Sequence, residues 1–239
     1  HNPEFTMLEG YEAYVDYEDT MALVEDLTRT VAHAVIGSHV VEIAGAKVDL
    51  GPPFRRTTMF EVVAEKTGTD LRPAWDAGDH SALQDAAGAL EVPLKDGWGP
   101  GKVLVEIFEA RAERELVEPT FVMGFPKEVS PLAKDHRGIR DFTEQADLYL
   151  GGIELAPIYS ELNDPEEQRR RFEQQARARA AGDEEAQLPD EEFLEALAYG
   201  MPPAGGFGFG VDRFLTLLTG AASIREVILF PTLRPEQGI

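Results

Sequence analysis

Apolar and polar positions change period several times along the chain, and each change marks a boundary between elements. From Phe5 to Tyr17 the stretch FTMLEGYEAYVDY alternates aromatic and apolar residues with carboxylates, a period of two that predicts a strand with unlike faces. Glu9 and Tyr11 then share a face. After Asp19, TMALVEDLTRTVAHAVIG carries apolar residues at helical spacing and stops at Gly37, which suits a C-cap. Ser38 to Leu50 alternates again, as a hairpin turning at Gly45, and Pro52 and Pro53 end it. Three helical patterns follow from Met59 to about Glu118, namely TMFEVVAEKTG, DHSALQDAAGAL and GKVLVEIFEARAERELV. Separated by Gly and Pro, they predict a helical insertion over about 60–118.

In the second half, PTFVMGFP reads as a short apolar strand and SPLAKDHRGIRDFT as a polar surface loop. ADLYLGGIELAPIYSEL predicts two strand arms joined at Gly151 and Gly152. Asp164 as N-cap and Pro165 at the first helical position open a helix that the pattern closes at Gly182, its Arg-rich middle a solvated face. A shorter helix runs from an Asp190 cap to Gly200. PPAGGFGFGVDRFLTLLTG then predicts a strand bearing Gly205, Gly206, Gly208 and Gly210, followed by an apolar helix with Asp212 and Arg213 at its start. Glycine at alternate strand positions costs stability, so close approach of a backbone or a flat ligand is the expected gain. SIREVILFPTLRP predicts a short helix or strand against the sheet. Strands joined by hairpins, with helices bunched after them, indicate an α+β fold around an antiparallel sheet.

Charge narrows the function. The 239 residues hold 22 Lys and Arg against 44 Asp and Glu, a net charge of −22, so broad binding of phosphate backbones by counterion release is excluded as the main activity. With 43% hydrophobic residues the chain can build a core, and with no cysteine it has neither disulfides nor thiolate ligands. It contains no run of about 18 apolar residues and no basic-then-apolar leader, so a cytoplasmic location without membrane contact is expected. The chain opens on His1 inside a strand pattern, and its natural N-terminus is expected elsewhere.

Three groups of residues carry candidate chemistry. Asp147, Glu154 and Glu161 recur at intervals of seven across the predicted hairpin, where two acids can share Mg²⁺ together with substrate phosphates, or simply be surface carboxylates in an acid-rich chain. Arg213 follows the glycine strand and is suited to a phosphate or a nucleobase, or to an ion pair with Asp212 or a neighbouring acid. His1, Phe5, Glu9 and Tyr11 offer stacking, a carboxylate and a hydroxyl to a small cationic substrate, or form an amphipathic strand. There is no GxxxxGK[ST] loop, Rossmann glycine fingerprint, GxSxG elbow or HExxH pair.

In order, HNPEFTMLEGYEAYVDY, PTFVMGFPKEVSPLAK, GGIELAPIYSELNDPEEQRRRF and YGMPPAGGFGFGVDRFLTLLTGAASIREVILFP closely resemble the catalytic domain of class II lysyl-tRNA synthetases, through nearly the whole chain. The resemblance implies the antiparallel class II sheet flanked by helices, with lysine activated by ATP and Mg²⁺ to lysyl-adenylate and passed to tRNA(Lys) by a homodimer. In that family no side chain is a covalent nucleophile. Arg213 matches the family's third-motif arginine on the ATP phosphates, Phe5 the aromatic that stacks on adenine, and His1 the histidine of the second-motif loop; Gly210 belongs to the same ATP site. Glu154 matches a Mg²⁺-binding glutamate, and Asp147 stands where its partner glutamate is usual. Glu161 and Tyr11 match the residues that hold the lysine ammonium, with Glu9 nearby, and Tyr159 replaces a phenylalanine on the methylene stem.

Departures accompany the match. The family's usual EIANGFSELND reads ELAPIYSELND here, which puts Pro157 at the site of a substrate-binding asparagine, and Gly10 replaces a larger residue. The family's anticodon-binding barrel, its first motif and the opening strand of its second would lie before His1. Two other roles remain open from the residues: a synthetase-like paralogue charging an acceptor other than tRNA, and a catalytically inactive binding module.

Overall fold

The computed structural model describes residues 3–43, 45–180 and 188–232. Strand β1 (Met7–Ala13) leads into helix α1 (Tyr17–Ile36), then the hairpin β2 (Val40–Ile43) and β3 (Ala46–Asp49), and the edge strand β4 (Arg55–Thr58). Helices α2 (Met59–Thr67), α3 (Arg72–Asp76), α4 (His80–Ala89) and α5 (Pro100–Arg111) follow, then β5 (Thr120–Met123), β6 (Gln145–Leu150) and β7 (Ile153–Ser160). Helices α6 (Pro165–Ala180) and α7 (Glu191–Ala198), strand β8 (Ala204–Gly210) and helix α8 (Val211–Thr219) complete the order.

Six strands form one sheet in the order β1-β8-β7-β6-β5-β4, antiparallel throughout except for the parallel pair β4 and β5. The antiparallel, α+β expectation is met. Alternation along each strand sorts side chains between two cores. Phe121, Ala146, Leu148, Ile158, Phe207 and Phe209 point to one face, where α1, the β2–β3 hairpin and α8 cover them. Val122 and Tyr149 point to the other, into a second core built by α2, α4 and α5. Those helices cover only the β4–β6 side of that face. Over β1, β8 and β7 it carries Glu9, Tyr11, Gly206, Gly208, Tyr159 and Glu161, and there the candidate site lies.

Local signals place most boundaries. Asp16, not Asp19, caps α1: its side chain accepts from Glu18 and Asp19 N–H while the Asp19 carboxylate takes the Asp16 N–H, so the helix starts before the predicted point. Gly37 ends it in the left-handed conformation, as predicted. Thr58 and Glu61 form a second capping box on α2. Asp164 and Asp190 accept N–H groups at the starts of α6 and α7; the predicted closure at Gly182 lies outside the described residues.

Three local predictions are corrected. Strand β4, RRTT, has no apolar alternation and forms by edge pairing with β5, so the pattern did not reveal it. Among the described residues of SIREVILFPTLRP there is a single 3-10 turn, Ile224–Glu226, and Leu229 and Phe230 are 87% and 89% exposed rather than packed on the sheet. The Arg-rich face of α6 is not wholly solvated, for Arg171 is 2% exposed. Its guanidinium donates to the Ser130 and Ala133 carbonyls and pairs with Asp135 and Glu167, tying the loop before β6 to the helix.

Candidate functional site

Strand β8 is the floor. Gly206 pairs with Tyr11 on one side and Tyr159 on the other, so the three positions share the open face. A Cβ on Gly206 would lie 2.1 Å from Glu161 Oε1 and 2.7 Å from the Tyr11 ring; the glutamate carboxyl occupies the space that glycine vacates. Tyr11 Oη donates to Glu9 Oε2 at 3.2 Å. Glu9 and Tyr11 thus share a face, as the alternation predicts, and Glu161, which the spacing groups with Asp147 and Glu154, meets them there. Burial pushes Glu161 up to about 7, and no cation pairs with it among the described residues.

A few residues along β7 a second cluster begins. Asp147 is 4% exposed on β6, where it accepts from Gln145 Nε2 at 3.1 Å. Burial, then the charge of Glu154, holds its carboxyl well above the usual carboxylate range. The two acids are not directly opposed across the hairpin: a β-bulge puts Asp147 opposite Pro157 and Glu154 opposite Tyr149. Tyr159 sits between the clusters, its hydroxyl raised by burial and then by Asp147, Glu154 and Glu161.

Arg213, at the start of α8, reaches this cluster. Its Nη1 donates to the Glu154 carbonyl at 2.6 Å and approaches Glu154 Oε1 at 3.5 Å. Of the predicted ion-pair partners, Asp212 is buried and accepts the Thr6 N–H at 2.6 Å instead, while the pair with a neighbouring acid is formed, to Glu154. Gly210 lies under the Arg213 stem, where a Cβ would be 3.2 Å from Cδ. Phe5 precedes β1 and is 59% exposed, outside the Glu9–Tyr11 cluster. His1 lies outside the described residues.

Two further sets of polar groups escaped the sequence reading. Glu113, in the 3-10 turn after α5, is half-buried, its carboxyl raised by burial and then by Glu154, with Arg114 and Arg213 opposing. Behind Glu161, the buried Glu144 receives both arms of Arg137 (2.5 and 3.0 Å) and the Ser160 hydroxyl, while Ser160 Oγ accepts the Tyr17 N–H. No short motif marks either set.

Among the described residues no group of three or more His, Asp or Glu is placed to hold a metal by itself. The pair Asp147 and Glu154 still fits a hard cation, because Mg²⁺ is commonly held by one or two carboxylates plus substrate phosphates, and the buried Asp147 already feels the charge of Glu154. What the face offers is therefore a carboxylate pocket for an ammonium, a neighbouring acid pair, and a guanidinium beside a glycine floor.

Comparison with known proteins identifies the family. The family model of class II tRNA synthetases (D, K and N) matches residues 1–234. A protein named lysine--tRNA ligase from Gloeobacter violaceus is 51% identical over 238 residues, covering 100% of this chain and 47% of that protein. Proteins of the same name from Moorella thermoacetica and Bacillus subtilis are 48% and 46% identical, covering 99% and 98% of this chain and 48% and 46% of theirs. The chain spans about half the length of the curated relatives it matches. With its mostly antiparallel six-stranded sheet flanked by helices, the chain belongs to the class II tRNA synthetases (D, K and N).

Proposed function

We propose that the chain is the C-terminal part of the catalytic domain of a lysine-tRNA ligase, which activates lysine with ATP to lysyl-adenylate and transfers it to tRNA(Lys). The observation that carries this reading is the Glu161 carboxylate, seated on Gly206 beside Tyr11 and Glu9 with no cation paired to it among the described residues. A buried acid without a partner is costly, and a substrate ammonium offsets that cost. The names of the relatives support lysine as its source.

Chemistry then follows from position and charge. Glu161, Tyr11 and Glu9 hold the lysine ammonium, and Tyr159 lies along the methylene stem. Arg213 neutralises phosphate charge over Gly210, and Phe5 and His1 belong to the ATP-binding loop. Asp147 and Glu154 are the residues that would hold Mg²⁺, which supplies charge neutralisation on the triphosphate. With the substrates so placed, the lysine carboxylate attacks the α-phosphate and pyrophosphate leaves; the protein contributes orientation and charge, not a nucleophile. The intact enzyme works as a homodimer in the cytoplasm.

Lysine-dependent exchange of pyrophosphate into ATP by the intact protein tests this reading. Exchange stimulated by lysine, followed by charging of tRNA(Lys), is the expected result. No exchange from a folded dimer would leave the inactive module, and exchange without charging would leave the paralogue with another acceptor.

A further inference from the structure

Hydrogen bonding along β7 alternates between its two neighbours. Glu161 N–H donates to the Ala204 carbonyl of β8 at 2.8 Å, whereas Ser160 N–H donates to the Glu144 carbonyl, on the β6 side, at 2.9 Å. By that parity residues 161, 159 and 157 address β8. Pro157 therefore stands where the ladder calls for an N–H toward Gly208, and it has none. The pairing of β7 with β8 covers Ser160, Tyr159 and Ile158 and does not continue to Pro157, although β7 extends to Ile153 and β8 to Gly210. Both strands stay paired on their outer sides, β7 with β6 and β8 with β1. The β7–β8 ladder is thus split here, at a proline in a position where proline is uncommon, while the backbones stay side by side, the Leu155 carbonyl oxygen 3.4 Å from where a Gly210 Cβ would lie.

What spans the split is Arg213. Its stem lies over Gly210 and its guanidinium crosses to the Glu154 carbonyl at 2.6 Å, with half of the side chain exposed toward the site. We propose that Pro157 is a positioning residue: by withholding an N–H from Gly208 it ends the β7–β8 ladder at Ile158, and the Glu154 carbonyl, left out of that ladder, becomes the seat of Arg213. A seated guanidinium has less rotamer freedom to lose when it meets a phosphate. The proposal rests on the reading of Arg213 as the cation that contacts ATP.

The test restores the donor. Pro157→Ala, with Pro157→Val as a second variant whose β-branched side chain suits a strand, is made in the intact protein and both are shown by thermal melting to be folded. The expected result is slower amide hydrogen exchange in the Gly208–Gly210 segment as the ladder closes, together with a rise of about tenfold in the ATP KM of pyrophosphate exchange, the worth of one charge-assisted hydrogen bond. The lysine KM stays within about twofold, because Glu161, Tyr11 and Glu9 are paired elsewhere on the floor. An unchanged ATP KM, or unchanged hydrogen exchange, overturns the positioning role. Equal rises in both KM values overturn it too, since they would place the residue in direct contact with the amino acid. If the parent protein shows no lysine-dependent exchange, the functional reading fails separately, and the hydrogen-exchange arm still judges the split.

Discussion

Glu161 carries the clearest consequence of burial for a single residue. Its carboxyl titrates near 7 in the fold, above the ordinary glutamate value, because burial disfavours the charged form. Between about pH 4.5 and 7 the folded chain holds a proton that the unfolded chain has released, so stability falls as pH rises through that window. The penalty is complete above 7, at roughly 3 kcal/mol. Glu161→Gln should therefore melt above the parent at pH 8 and with it at pH 4; equal melting at pH 8 would show that the carboxyl is solvated. Lysine binding runs the other way, for only the carboxylate attracts an ammonium. The lysine KM of the parent should rise as pH drops below 7, and a flat profile would remove Glu161 from the pocket. Arg213→Ala should cost about 2 to 4 kcal/mol of transition-state stabilisation, the scale of one preorganised charge contact, read as kcat/KM for ATP in pyrophosphate exchange. An unchanged value would mean that the bond to Glu154 is the whole of its role. Both residues could be picked from the sequence, Glu161 from the strand arm and Arg213 from the glycine run before it. Glu113 and the Arg137–Glu144–Ser160 set could not, since nothing local marks acids in a 3-10 turn or a loop. Their partners lie far off in the chain and meet only in the fold.

At the scale of elements, legibility follows how much each relies on its own residues. Helices α1, α2 and α7 announce themselves by caps and apolar spacing, and the β6–β7 hairpin by its Gly151–Gly152 turn. Strand β4 owes its existence to β5, and α3 is a five-residue turn with no buried side chain, so neither leaves a periodic trace. The bulge in β6–β7, a register shift between Leu148 and Tyr149, is likewise invisible in an alternating pattern. Strand β8 shows what its glycines are for only against its neighbours. Gly206→Ala would force the Glu161 carboxyl and the Tyr11 ring aside, and a displacement of this kind can cost about a hundredfold in kcat/KM for lysine. Gly10 obeys the same logic on the opposite face, where a Cβ would sit 2.5 Å from Phe207 Cε1. There an alanine intrudes on the core rather than the site, so Gly10→Ala should lower stability by about 1 to 3 kcal/mol and leave lysine KM unchanged. Denaturant unfolding and lysine kinetics on the two variants separate these effects; a Gly206→Ala enzyme with normal lysine kinetics would refute the close seat of Glu161.

For the molecule as a whole, charge competes with the two cores. A surplus of 22 negative charges on a 239-residue chain repels itself, and repulsion opposes the compact state. Local pairs relieve part of it, yet the exposed ones, such as Arg169 with Glu191, are worth little and weaken with salt. The pairs of the buried Arg171 are screened far less. Salt therefore removes more repulsion than attraction. As NaCl rises from about 0.01 to 0.3 M and the Debye length shrinks from about 30 Å to under 10 Å, the melting temperature of the chain should rise, by about 3 °C for each kcal/mol of repulsion screened. Chloride is the anion to use, because sulfate would strengthen apolar burial as well. A flat or falling curve would mean that acids and bases are interleaved closely enough to cancel. The same field bears on the proposed partner: a chain this acidic cannot gather an RNA backbone by counterion release, so any contact these residues make with tRNA would be local.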